Sequence, residues 1–286
     1  MPEATTAALD ASVDTSANVK EAVPTEAGES YFALLDFGKL ELTLEGLLKA
    51  GVHFGHLKSR RHPKMDPFIY TTRKNINIVN LEKTVESLDA AAKFLTEVVK
   101  SGKPILFVGM KKQTHSTIKS LAKRLGEPFV VDRWLGGTLT NYSCIRTRYR
   151  YLNDSEQKFA SGEFKKYTKF EQAKKMEEIE RLEKKMGGIK HMESLPGAIV
   201  VADVKEAGLV LYEARKMNVP IVGIVDTNTD PSLVDYPVPG NDDALSSLRL
   251  LLGSLGKAIV AAKEKVAQTK TEAKESPVAV KETKAA

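Results

Sequence analysis

His53-Phe54-Gly55-His56 sets two imidazoles three residues apart, with His62 beyond them, and imidazoles so spaced are potential ligands for a divalent cation. The H-E-x-x-H pattern, which would put two ligands and a general base on one helix face, is absent. Lys58, Arg60, Arg61 and Lys64 come next in the chain, and because their charge repels a dication no metal site is expected. The stretch continues through Phe68, Tyr70, Arg73 and Lys74. Aromatic rings interleaved with cations suit phosphates and unstacked bases; the competing reading is a solvated charged face over core aromatics.

Two further segments offer anion chemistry. Gly109-Met110-Lys111-Lys112-Gln113-Thr114 lacks both the G-x-G-x-x-G fingerprint and the second glycine and Lys-Ser/Thr of a P-loop. Lys111 and Lys112 suit a single phosphate held by side-chain charge and helix N–H donors, or an ordinary turn capped by Thr114. In Asp132-Arg133-Trp134-Leu135-Gly136-Gly137-Thr138-Leu139-Thr140-Asn141, the paired glycines permit close backbone approach and Thr140 or Asn141 can cap the next helix. Arg133 precedes the glycines and Arg146, Arg148 and Arg150 come after them, as an anion site or a turn beside a solvated basic helix would have it. Trp134 reads as a core anchor more readily than as a base-stacking platform. Asp203, Asp226, Asp230, Asp242 and Asp243 invite a carboxylate site, but no Ser-His or Cys-His pairing accompanies them, and helix capping is the simpler account. No catalytic residue and no cofactor is expected.

The elements that must carry these residues alternate. Short apolar runs at 76–81, 105–109, 129–132, 198–203 and 221–226 read as strands. Helical patterns occupy 84–100, 114–125, 207–217 and 243 to about 266. Strand and helix in turn predict an α/β protein with a doubly wound parallel sheet, its strands apolar because both faces are covered. Residues 141–188 break the rhythm with two charged helical segments meeting near Ser161 and Gly162. Narrow apolar stripes through Ile145, Tyr149, Leu152 and Phe159, and through Phe170, Ala173, Met176, Ile179, Leu182 and Met186, predict an antiparallel coiled-coil hairpin projecting from the α/β domain of 31–140 and 189–267. Residues 1–30 read as a disordered acidic leader and 268–286 as a disordered tail.

Composition bounds the partners. The net charge is +6, but residues 1–42 hold Lys20 and Lys39 against eight acids, leaving 41 basic and 29 acidic residues beyond them. Such an excess attracts polyanions, of which nucleic acid is the commonest in a cytoplasm; a lysine-rich enzyme surface is the alternative. Cys144 stands alone, which rules out an intrachain disulfide and a multi-cysteine zinc site. No run of about 18 consecutive apolar residues and no secretory or transit signal is present, so a cytoplasmic protein with no membrane partner is expected.

Residues from about 42 to 262 resemble the bacterial S-two family of small-subunit ribosomal proteins. The resemblance lies in Leu44-Glu45-Gly46-Leu47-Leu48-Lys49-Ala50-Gly51-Val52-His53-Phe54-Gly55-His56, in Pro63-Lys64-Met65 with Pro67-Phe68-Ile69, and in Asn80-Leu81-Glu82-Lys83-Thr84. It continues through Arg133-Trp134-Leu135-Gly136-Gly137 with Leu139-Thr140-Asn141, Gly187-Gly188-Ile189-Lys190 with Leu195-Pro196, Val225-Asp226-Thr227-Asn228 with Asp230-Pro231, and Pro239-Gly240-Asn241-Asp242-Asp243-Ala244. It implies a flavodoxin-like sheet with a protruding helical hairpin, seated where the head and body of the small subunit meet. The implied partners are rRNA and neighbouring ribosomal proteins, including the large multi-repeat protein that helps capture mRNA; no catalytic residue is implied. On charge and loop position, the expected phosphate contacts are Lys58, Arg60, Arg61, Lys64, Arg73, Lys74, Lys111, Lys112, Arg133, Arg146 and Arg148. The alternatives are a phosphate- or nucleotide-binding enzyme on a flavodoxin-like fold, and an adaptor working through the hairpin.

Overall fold

The computed structural model describes residues 42–275, so the expected leader and the end of the expected tail lie outside the described residues. The chain enters through a short helix, α1 (Leu44–Lys49), whose first turn is closed by Thr43 accepting from the Gly46 N–H. Three short strands come next, β1 (Phe54–Leu57), β2 (Ile69–Arg73) and β3 (Ile76–Val79), forming an antiparallel sheet in the order β1-β3-β2. Lys74 and Asn75 both take positive φ, 49° and 62°, and make the two-residue turn that joins β2 to β3 with the twist a hairpin needs.

From there strand and helix alternate: α2 (Leu81–Lys100), β4 (Ile105–Val108), α3 (Lys112–Leu125), β5 (Phe129–Val130), then α4 (Tyr142–Ala160) and α5 (Lys169–Met186). The last part is β6 (Ala198–Val201), α6 (Gly208–Lys216), β7 (Ile221–Val225), β8 (Tyr236–Pro239) and α7 (Leu245–Glu275). Strands β4 to β8 pair in parallel in the order β5-β4-β6-β7-β8. The direction of winding therefore reverses between β4 and β6.

Every residue of β4, β6 and β7 is buried, because helices cover both faces. Alternation divides the side chains: Ile105, Phe107, Val200, Val222 and Ile224 pack with Leu88 and Leu95 of α2, Ile118 and Leu121 of α3, and Leu251, Leu255 and Ile259 of α7. Leu106, Val108, Ile199, Val201, Ile221 and Val225 face Trp134, Leu139, Ile145, Tyr149 and Met186, with Val210, Leu211 and Ala214 of α6. Residues 245–268 of α7 are long and apolar enough to cross a membrane by length and composition. Their apolar stripe from Leu248 to Ala262 is instead spent in the core.

The fold corrects three expectations from sequence. The run at 76–81 belongs to the antiparallel sheet, and the fifth parallel strand is β8. Pro237 and Pro239 disguised β8, yet proline is tolerated at a sheet edge, where one side needs no ladder donor. The final helix also runs past residue 266 to Glu275, since the Lys, Glu and Ala that read as tail are good helix formers. Helices α4 and α5 occupy the expected interval, the second opened by a capping box between Thr168 and Glu171.

Candidate nucleic-acid interface

The carboxyl ends of the parallel strands, where this architecture gathers ligands, hold a network of the chain's own charges. Beyond β4, the N–H groups of Met110 and Lys111 donate to the Asp203 carboxylate at 3.0 and 2.6 Å. Asp203 comes just after β6, so the two strands flanking the switch point are tied across the crevice. The N–H donors expected to hold a phosphate are thus occupied by an internal anion. Burial pushes the Asp203 carboxyl above its ordinary value, against those same hydrogen bonds. The Lys111 ammonium lies 2.8 Å from both Asp242 and Asp243 and is only 15% exposed.

His56 completes the network from the antiparallel sheet. Its Nδ1 is 2.9 Å from Asp226 and its Nε2 is 3.4 Å from Asp243. The close approach requires Gly55, since a Cβ there would meet the Thr227 methyl at 2.5 Å and the Asn77 carbonyl at 3.0 Å. The hydrogen bond to Asp226 raises the His56 pKa, opposed by burial and helped by Asp242 and Asp243. Two carboxylates sharing one lysine are not equivalent. Burial pushes Asp242 up to about 6 although Lys111 opposes it, aided by the neighbouring Asp226 and Asp243 charges. At Asp243, which is half exposed, burial also pushes upward, but the hydrogen bond and charge of Lys111, with His56 and Lys205, outweigh it and hold the carboxyl low.

His56, Asp242 and Asp243 can each present one ligand atom within 4.8 Å of the others. A cation there would compete with the Lys111 ammonium, which already pairs with both acids. The capping account of Asp242 and Asp243 is corrected: Asn241 Oδ1 accepts from the Asp243 and Ala244 N–H groups, freeing both carboxylates for ion pairs. Asp230 does cap, accepting from Ser232 N–H at 2.9 Å. Thr114 is not the cap of α3; its hydroxyl donates back to the Lys111 carbonyl.

The loop of paired glycines also surrounds an internal anion. Glu213 of α6, buried among Val210, Leu211 and Ala214, accepts from Gly137 N–H at 2.8 Å, Leu139 N–H at 3.0 Å, Thr140 N–H at 3.2 Å and the Trp134 indole at 3.1 Å. Thr140 is therefore bound to Glu213, and Asn141 flanks α4 without a side-chain cap bond. Trp134 is a core residue, 4% exposed. Sequence reasoning saw the donors in this loop and missed their acceptor. The available signal was a lone acid inside the apolar stripe of α6.

The cations expected to meet phosphate fall in three groups. Lys58, Arg60, Arg73 and Lys74 are exposed and converge at one end of the antiparallel sheet, where Lys58 N–H bonds to the Asn75 carbonyl at 2.8 Å beside the β2–β3 turn. Tyr70, on β2, is 75% exposed. Arg61 is instead paired with Asp66, and Lys64 with Asp230 and Ser232 at 2.8 and 2.7 Å. Lys112 stands exposed at the start of α3 while Lys111 turns into the acidic network. Arg133 and Arg148 are exposed around the loop of paired glycines, and Arg146 is half-buried with its Nε unpartnered among the described residues. Arg148 lines a cleft of about 310 Å³ with Leu135, Gly136, Cys144 and Lys185.

Comparison with known proteins bears on this surface. Residues 47–262 match the family described as Ribosomal protein S2. Small ribosomal subunit protein uS2 from Roseiflexus sp. strain RS-1 is 47% identical over 219 residues, covering 77% of this chain and 84% of the relative. The protein of that name from Roseiflexus castenholzii is equally similar over the same length, with 83% of the relative covered. A match over most of the chain, at this identity and with the glycine loop and carboxyl-end network inside it, shows that the chain belongs to the ribosomal protein S2 family.

Proposed function

We propose that this chain is a structural constituent of the small ribosomal subunit and binds its rRNA through phosphate contacts from two exposed basic groups. The first is Lys58, Arg60, Arg73 and Lys74 with Tyr70; the second is Lys112, Arg133 and Arg148. The carrying observation is that these seven cations form no ion pair with another described residue, whereas Arg61, Lys64 and Lys111 do. Unpaired surface cations can take up phosphates, and release the counterions condensed on them, without first breaking a salt bridge. Membership of a ribosomal structural family makes the chain a cytoplasmic ribosomal protein and not an enzyme.

The finer architecture accords with the same reading. The α/β body is flavodoxin-like and doubly wound, with α4 and α5 as a protruding coiled-coil arm between residues 141 and 188. Low apolar content outside the narrow stripes supports an arm that meets partners along its length. Those partners are neighbouring small-subunit proteins, including the multi-repeat protein that helps capture mRNA.

Sedimentation of cell extract through a gradient in low salt tests the proposal. Nearly all of the protein should travel with the small subunit. A predominantly free pool would overturn the assignment.

A further inference from the structure

Four aromatic residues lie where α4 passes into α5. Phe164, 8% exposed, is the anchor of three of them: Phe159 and Tyr167 each meet it edge to face, with ring centroids 6.0 Å away. The Lys175 ammonium, from the second turn of α5, lies 3.4 Å from the Tyr167 centroid and 5.0 Å from that of Phe164, and so helps to hold both rings. Phe159 and Tyr167 nevertheless remain 45% and 44% exposed. Phe170, in the first turn of α5, is 78% exposed, the highest value of any large apolar side chain among the described residues. Lys158, Lys166, Lys169 and Lys174 stand exposed on the same segments. Residues 158–175 hold six lysines against two acids, Glu163 and Glu171, and Glu171 is engaged by the Thr168 N–H at 3.0 Å in the capping box of α5.

We propose, resting on the ribosomal reading above, that this link between α4 and α5 is a stacking surface for unpaired nucleotides of the small-subunit rRNA. Exposed rings invite a flat partner, and a surplus of lysine invites a polyanion. An unstacked RNA strand is both at once, since every nucleotide carries a π-face and a phosphate. Duplex RNA offers the phosphates alone, because each base face is covered by its neighbour. An apolar protein surface would desolvate the lysines without pairing them. An acidic one would pair them but give the rings no planar partner. The packing of Phe159 and Tyr167 on Phe164 sets their rings before a ligand arrives, so little side-chain freedom is lost on binding. Neither basic group of the body includes this link, which therefore adds a contact of a different kind: stacking rather than charge alone.

The test begins with the free full-length protein carrying Phe170→Trp, its fluorescence read as the difference from the unaltered chain, whose one tryptophan is Trp134. A single-stranded adenylate RNA of about ten nucleotides should quench the new indole by at least about half, and inorganic polyphosphate or an RNA duplex by less than about a tenth. Tyr167→Leu with Phe170→Leu should weaken binding of the strand at least about fivefold, the loss of one stacked base, while duplex affinity stays within about twofold and the melting temperature within about 2 °C. In small subunits freed of mRNA, ultraviolet crosslinking should join Tyr167 or Phe170 to an unpaired rRNA nucleotide. Quenching by polyphosphate as strong as by the strand overturns the proposal, as does an unchanged affinity in the double variant. Crosslinks only to a protein, or only once mRNA is added, also overturn it and give the surface to that partner. A chain that sediments with the small subunit but yields no rRNA crosslink fails here alone, whereas a predominantly free pool fails the ribosomal reading as well.

Discussion

The Glu213 carboxylate of α6 and the Trp134 indole N–H meet at 3.1 Å, and the same carboxylate takes the N–H groups of Gly137, Leu139 and Thr140. A buried anion thus shapes the loop leading into α4. Burial alone would raise its pKa, but the donors from Gly137, Leu139, Trp134 and Thr140 outweigh burial and hold the carboxyl below its ordinary value. Replacing Glu213 by Ala strands these donors, at an expected cost of about 2–4 kcal/mol. Because Trp134 is the only tryptophan, denaturant titration followed by its fluorescence reads both the lost stability and a red shift as the indole wets. An unshifted midpoint would show that the loop holds itself.

The lowered pKa of Glu213 contributes stability that is present above its unfolded value and lost as pH falls. The opposite sign holds for two members of the carboxyl-end network, His56 and Asp242. His56 is raised, so its contribution is complete below its unfolded value of 6.5 and is lost as pH rises through the folded one. Asp242, raised to about 6 from 3.8, likewise favours the fold when protonated and loses that advantage as pH climbs between those values. Melting temperature should therefore fall between about pH 6 and about pH 8 more steeply in the natural chain than in His56→Gln. Parallel profiles would mean that the His56–Asp226 pair does not couple the two sheets.

Much of this arrangement could be read from residue types, and the missing part has a common physical cause. The apolar runs of β4, β6 and β7 announce themselves because strands covered on both faces carry no polar alternation. β8 does not, since two of its four residues are proline. Gly137, Asp203, His56 and Lys111 were each recognisable as polar chemistry seeking a partner. Their partners lie far away in sequence: 76 residues separate Gly137 from Glu213, and 132 separate Lys111 from Asp243. Spacing along a chain reveals a donor or an acceptor, but only the fold decides whether its counterpart is a ligand or the protein itself.

That distinction orders the basic residues as well. Replacing Lys58, Arg60, Arg73 and Lys74 together by Ala should weaken rRNA binding and reduce the slope of log affinity against log salt by about 3, at roughly 0.7–0.9 for each phosphate no longer neutralised. Arg61→Ala with Lys64→Ala should change the slope far less, because Asp66 and Asp230 already neutralise those charges. Both variants should keep the fold, as surface substitutions usually cost within about 0.5 kcal/mol each. Equal slopes for the two would remove the distinction between paired and unpaired cations as a guide to this interface.

The two glycines of the Trp134 loop should respond differently to the same substitution. Gly137 has φ +89° and a Cβ there would lie 3.2 Å from the Asn141 Cβ, while its N–H is fixed by Glu213. An L-residue in that left-handed region is strained by about 1–2 kcal/mol, so Gly137→Ala should destabilise the protein by at least that much. At Gly136 an added Cβ meets nothing within 4 Å, and Gly136→Ala should be neutral within about 0.5 kcal/mol. The second variant then separates folding from assembly, because Gly136 lines the cleft beside Arg148 and Lys185. If Gly136→Ala folds normally but enters the small subunit poorly, a partner's backbone or phosphate must approach that cleft within reach of one methyl group. Normal incorporation would confine the loop's importance to Gly137 and its bond to Glu213.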